Sequence, residues 1–129
     1  MNLFFDRSIG TAIPKALKKY LKPPIGVEYH QECFPQGAED EIWLPEVGRR
    51  GWFVIGQDHS YHIKPNELAA LKAYSIGVFY MWGCEATKWE TMRVFARAYD
   101  RIVAASQNTP TPFLYHVRRN GRLVLHPIP

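Results

Sequence analysis

Hydrophobic and polar positions alternate between two rhythms along the chain. Asn2 to Phe5 is a short apolar run stopped by Asp6, which predicts a buried first strand. Ile9, Ile13, Leu17 and Leu21 then recur every four residues, with Lys15, Lys18, Lys19 and Lys22 opposite, the mark of an amphipathic helix. Pro14 fits only a first helical turn, so this helix should begin between Gly10 and Ile13 and end at Pro23-Pro24. Ile25 to His30 reads as a second strand, and Gln31 to Ala38 as a loop. Glu39 to Arg50 predicts a helix that Pro45 should kink or divide, closed by Gly51 as a C-cap.

Trp52 to Gly56 is a third apolar run, ending at Gln57-Asp58. A helix is expected from Pro65 to about Tyr74, and a fourth strand from Ile76 to Trp82. Thr87 followed by Glu90 fits a capping box for a last helix to about Ser106, expected to bury Met92, Phe95, Ala96, Tyr99 and Val103. Phe113–Val117 and Arg122–His126 flank Asn120-Gly121, which predicts a type I′ hairpin. Near-continuous apolar strands alternating with helices predict a mainly parallel four-stranded sheet covered on both faces. With order 2-1-3-4 its switch point lies between strands 1 and 3, where ligands bind beyond the carboxyl ends. We expect residues 1–106 to form the core and residues 107–129 a loop and C-terminal β-hairpin extending the same domain.

Composition narrows the function classes. The 129 residues are 47% hydrophobic and 14% aromatic, which excludes a disordered chain. No apolar run approaches the roughly 20 residues of a membrane span. Cys33 and Cys84 form no disulfide framework or zinc spacing, so a cytoplasmic protein with reduced thiols is expected. The net charge of +4 is only a mild bias towards polyanions.

The aspartates change the picture. Asp6 ends the first strand, Asp58 ends the third, and Asp40 heads the helix leading into the third, so three carboxylates converge on one rim. Like charges at close range call for a proton or a cation, and short oxygen ligands suit Mg²⁺ or Mn²⁺. Aspartate also favours turns and helix starts, so each position alone has a purely structural explanation. Arg7 could hold a phosphate or pair with an acid. His62 and Lys64 are candidate phosphate contacts, and Glu85 follows the fourth strand. A zinc site at His59 and His62 is less favoured, because no third ligand has a recognised spacing. Arg93, Arg97 and Arg101 form a basic stripe that is either a solvated face or a path for RNA. The Trp residues at 43, 52, 82 and 89 are expected mostly in the core.

Phe4-Phe5-Asp6-Arg7, the block Asp40-Glu41-Ile42-Trp43-Leu44-Pro45-Glu46 through Trp52, and Val54-Ile55-Gly56-Gln57-Asp58 together resemble compact PIN-like domains grouped with VapC-type toxins. The resemblance implies a three-layer α/β/α fold. It also implies a Mg²⁺- or Mn²⁺-dependent endoribonuclease, the toxin half of a toxin–antitoxin pair. By that likeness Asp6, Asp40 and Asp58 are the catalytic metal ligands, and the fourth acid such domains carry is either Glu41, as a ligand or just behind the ligands, or Glu85. RNA would be the substrate, an antitoxin protein the partner, and a homodimer a possible assembly. A catalytically degenerate module binding RNA or protein is the alternative. A receiver-like or phosphatase domain ranks lower, because the fourth strand ends in Met81-Trp82-Gly83 without a lysine.

Overall fold

The computed structural model describes residues 1–35, 37–57, 65–83 and 85–128. Its elements are β1 (Asn2–Phe5), a 3-10 turn (Arg7–Ile9), α1 (Ala12–Tyr20), β2 (Gly26–Tyr29), α2 (His30–Cys33), α3 (Asp40–Arg50) and β3 (Phe53–Gly56). They continue with α4 (Pro65–Tyr74), β4 (Gly77–Met81), α5 (Lys88–Asn108), β5 (Phe113–Val117) and β6 (Leu123–His126). The strands form one sheet in the order β2-β1-β3-β4-β5-β6. All pairings are parallel except β5–β6.

The expected 2-1-3-4 core is present, and the hairpin continues it. Because α5 crosses back over the sheet, β5 docks parallel to β4, with Gly77 opposite Phe113 and Met81 opposite Val117. The result is a six-stranded sheet whose last strand is antiparallel.

Strand side chains alternate faces, and each face carries its own core. Leu3, Phe5, Ile55, Phe79 and Met81 pack beneath α1 and α5, against Ile13, Leu17, Phe95 and Ile102. Phe4, Val54, Val78 and Tyr80 pack beneath α3 and α4, against Trp43, Leu44, Val47 and Leu71. All five residues of β4 are buried, as a strand covered on both sides requires.

Several local expectations are corrected. Helix α3 is not divided at Pro45, which removes a single backbone bond within an 11-residue helix anchored by Trp43, Leu44 and Val47. Part of the expected loop after β2 is the short helix α2, whose His30 is buried among Phe4, Phe34 and Trp43. The buried stripe of α5 is Thr91, Val94, Phe95, Ala98, Ile102 and Ser106; Ala96 is exposed. Its position is set by contact with the sheet, and single-sequence periodicity misplaced it by about one residue.

The hairpin turn is also different from expectation. Gly121 takes φ +85° and Asn120 stays outside the left-handed region, so a type I′ turn is not formed. The Gly121 N–H donates to Arg118 O (2.8 Å), and the Arg118 N–H donates to Arg122 O (2.8 Å). That pattern is a three-residue loop with a glycine bulge, and Asn120 Oδ1 supports it by accepting from Arg122 N. The capping box is present as expected, with Thr87 Oγ1 accepting from Glu90 N (3.1 Å). Gly51 closes α3 at φ +68°.

Candidate nucleic-acid-processing site at the carboxyl rim

Because β1 to β5 are parallel, their carboxyl ends lie along one rim. Asp6 follows β1 there. It is 4% exposed, too buried for an ordinary surface aspartate. Its main chain is fixed by its N–H donating to Ile55 O (3.0 Å) on β3. Its side chain caps the 3-10 turn: Oδ1 accepts from the Ser8 N–H (2.9 Å) and from the Ser8 hydroxyl. An acid two residues before a serine is a local pattern that favours this bonding.

The Ser8 hydroxyl has a second role. It accepts from the Gln57 backbone N–H (2.8 Å), so the carboxylate after β1 and the chain leaving β3 form one hydrogen-bonded unit. Gln57 is itself buried. Its side-chain amide donates to Gly83 O (2.7 Å), to Thr91 Oγ1 (2.8 Å) and, at 3.3 Å, to Trp82 O. One glutamine thus joins the end of β3, the loop after β4 and the first turn of α5. Lys88 at the start of α5 reaches back over Gly10 to Ile9 O (3.5 Å).

Sequence reasoning named Asp6 but missed Ser8, Gln57 and Thr91. The available signal was slight: a serine two residues after an acid, and a lone amide extending an apolar strand.

The other sequence-derived candidates fall as follows. Asp40 is the first residue of α3. Only Gly51 and Trp52 separate α3 from β3, so the helix runs antiparallel to the strand and its start lies towards the carboxyl rim. Trp43, one turn further on, packs on Phe4, two residues before Asp6 (ring centroids 5.5 Å). The Asp40 side chain lies outside the described residues, as do Asp58, His59, His62 and Lys64. Asp58 directly follows Gln57 in the chain.

Glu41 is exposed and lines a groove of about 820 Å³ between α3 and α4, beside Pro65 and Glu67. Arg7 is exposed in the 3-10 turn next to Asp6. Glu85 is exposed in the turn before α5. Among the described residues, no group of three or more His, Cys, Asp or Glu is placed to hold a metal ion; Asp58 and the Asp40 carboxylate are outside that set.

The remaining candidates take structural places. Burial, then Glu28 and Glu32, push the Cys33 thiol above its usual range, which disfavours a nucleophilic thiolate. Trp43 is buried, Trp52 and Trp82 are half-buried, and Trp89 is 69% exposed. No helix among the described residues is long and apolar enough to cross a membrane.

The sequence model of a family described as "PIN like domain" matches residues 1–83, which span β1 to the end of β4 and include Asp6, Asp40 and Asp58. That family places the chain among nuclease-type folds. No curated protein and no solved structure matches the chain.

Proposed function

Because the chain belongs to the PIN-like domain family, we propose that it is a metal-dependent endoribonuclease of the VapC-type branch. It would act in the cytoplasm as the toxin half of a pair held in check by an antitoxin protein. The observation that carries this reading is the hydrogen-bonded unit at the rim. Asp6 Oδ1, the Ser8 hydroxyl and the Gln57 N–H hold a buried carboxylate against the residue preceding Asp58.

Carboxylate oxygens are hard donors that fit Mg²⁺ or Mn²⁺. Asp6, Asp40 and Asp58 would hold the ion, with Glu41 as the fourth acid. When bound, such an ion polarises a phosphoryl oxygen and makes water acidic enough to act as a nucleophile near neutral pH. The chain's own residues supply the rest. Ser8 and the backbone of β3 fix the Asp6 carboxylate in one orientation. Arg7, exposed beside it, engages the scissile phosphate, a role for which a planar guanidinium is suited. Lys64 and His62, in the segment after Asp58, are further phosphate contacts. A homodimer is part of the same reading.

The test is cleavage of end-labelled single-stranded RNA with Mn²⁺ or Mg²⁺. Asn caps a turn about as well as Asp, so Asp6→Asn should fold. Asp6→Asn and Asp58→Asn are each expected to lose on the order of 100-fold or more in rate. Ser8→Ala, which acts through Asp6, should lose about 10- to 100-fold. Full activity in both aspartate variants refutes the proposal. Wild-type protein that binds RNA and cuts none replaces it with the degenerate module.

A further inference from the structure

The rim does not end at the aspartates. Trp82 follows β4 and Arg118 follows β5, so both stand on the same edge of the sheet as Asp6. Three strand spacings, about 14 Å in all, separate β1 from β5. Here α5 and the hairpin turn meet: Arg97 Nη1 donates to Arg119 O (3.3 Å), and Arg101 Nη1 donates to Gly121 O (3.1 Å). Gly121 is needed for that approach, since a Cβ there would stand 3.0 Å from Arg97 Cβ.

Two shallow recesses flank this junction. One, of about 380 Å³, is lined by Trp82, His116, Arg118, Arg119 and Asn120. The other, of about 180 Å³, is lined by Trp82, Arg119, Glu90, Arg93, Val94 and Arg97. Arg119 stands between them, its guanidinium 5.1 Å over the Trp82 ring, and a cation resting on an indole is already ordered before any ligand arrives. Arg101 and Arg122 line the next recess along.

Arg93, Arg97, Arg101, Arg118, Arg119 and Arg122 are all exposed, and none is ion-paired with a carboxylate among the described residues. They are six of the chain's 16 Lys+Arg residues. Among the described residues Glu90 is the only acid lining the two recesses, and it is engaged with Thr87 in the capping box. Exposed arginines that outnumber the acids beside them repel one another; a polyanion relieves that repulsion. All six lie beyond residue 83, outside the part of the chain that matches the family.

We propose that α5 and the β5–β6 hairpin form a phosphate-binding track that holds the backbone of single-stranded RNA where it leaves the acidic end of the rim. The assignment of the occupant as RNA rests on the nuclease reading; the electrostatic track does not. The C-terminal hairpin then has a function: it lengthens the sheet by two strands and carries half of the track's cations to the rim.

The test is fluorescence anisotropy with a labelled oligouridylate in EDTA, where neither metal nor cleavage contributes. Single-stranded binding loses about 0.7 in the slope of log K against log salt for each phosphate contact removed. The triple variant R93Q/R118Q/R122Q is therefore expected to flatten the slope by about 2, and R93Q alone by about 0.7. The control K19Q/K22Q/K72Q removes the same charge from α1, its C-terminal flank and α4 and should leave the slope unchanged. Equal slopes in the two triples overturn the track. An oligodeoxythymidylate bound more tightly than the RNA overturns the RNA assignment. If Asp6→Asn and Asp58→Asn retain full cleavage, the nuclease reading falls while the slope difference in EDTA still decides the track.

Discussion

Replacing Gln57 by Ala tests whether one buried amide ties the rim together. Its side chain makes two short hydrogen bonds, to Gly83 O (2.7 Å) and Thr91 Oγ1 (2.8 Å), and a long one to Trp82 O (3.3 Å). Each short bond is worth about 1 kcal/mol net. The losses are unequal. Thr91 is 2% exposed, so its hydroxyl loses a donor that water cannot easily replace, whereas Gly83 is half-buried and its carbonyl can be rehydrated. Together these give a destabilisation of about 2–3 kcal/mol. For a domain of this size that is a fall of roughly 8–12 °C in melting temperature, or about 1–2 M in the urea midpoint. Gln57→Glu keeps the shape but sets an oxygen against two carbonyls, so it should cost more than Ala. Urea denaturation followed by tryptophan fluorescence reads both variants. A loss below about 0.5 kcal/mol in Gln57→Ala, with Gln57→Glu equal to it, would refute the network.

Two further perturbations probe the outer layer. Gly48→Ala in α3 would gain up to about 1 kcal/mol of helix propensity. Its Cβ, however, would stand 2.7 Å from Tyr74 O, a backbone atom of α4. We expect a net loss of about 1–2 kcal/mol by thermal melting, and a more stable variant would contradict the close α3–α4 packing. Glu46 receives hydrogen bonds from Arg49 and Arg50, which lower its pKa from 4.5 to about 2. A depressed carboxylate stabilises the fold above its unfolded pKa and loses that contribution as pH falls through the folded value, here between about 4.5 and 2. An NMR titration of the Glu46 carboxyl should show the low midpoint; one near 4.5 would show that the pair does not hold in solution.

The parallel core was legible because strand and helix rhythms are strong where both sheet faces are covered. Leu3-Phe4-Phe5 and Val54-Ile55 carry apolar residues on both faces and are hard to mistake. The docking of β5 beside β4 was not legible, because nothing local to Phe113–Val117 says which strand it joins. The turn at Asn120-Gly121 was placed correctly, yet its type depended on one dihedral that Asn can adopt in either region. At the site, Asp6 could be read from its place at a strand end. Ser8 and Gln57 could not, because their importance lies in a bond between residues 49 positions apart. Nothing local to Arg118, Arg119 and Arg122 shows that folding sets the hairpin beside Arg93, Arg97 and Arg101.

The central claim is that Asp6, Asp40 and Asp58 share one cation. Paramagnetic broadening by sub-stoichiometric Mn²⁺ in a ¹H–¹⁵N spectrum tests it most directly. The backbone amides of Ser8, Asp40 and Asp58 should broaden together, and Asp58→Asn should abolish the effect at all three. Broadening at only one of them, or only at acids away from the rim such as Glu46 and Asp100, would contradict it.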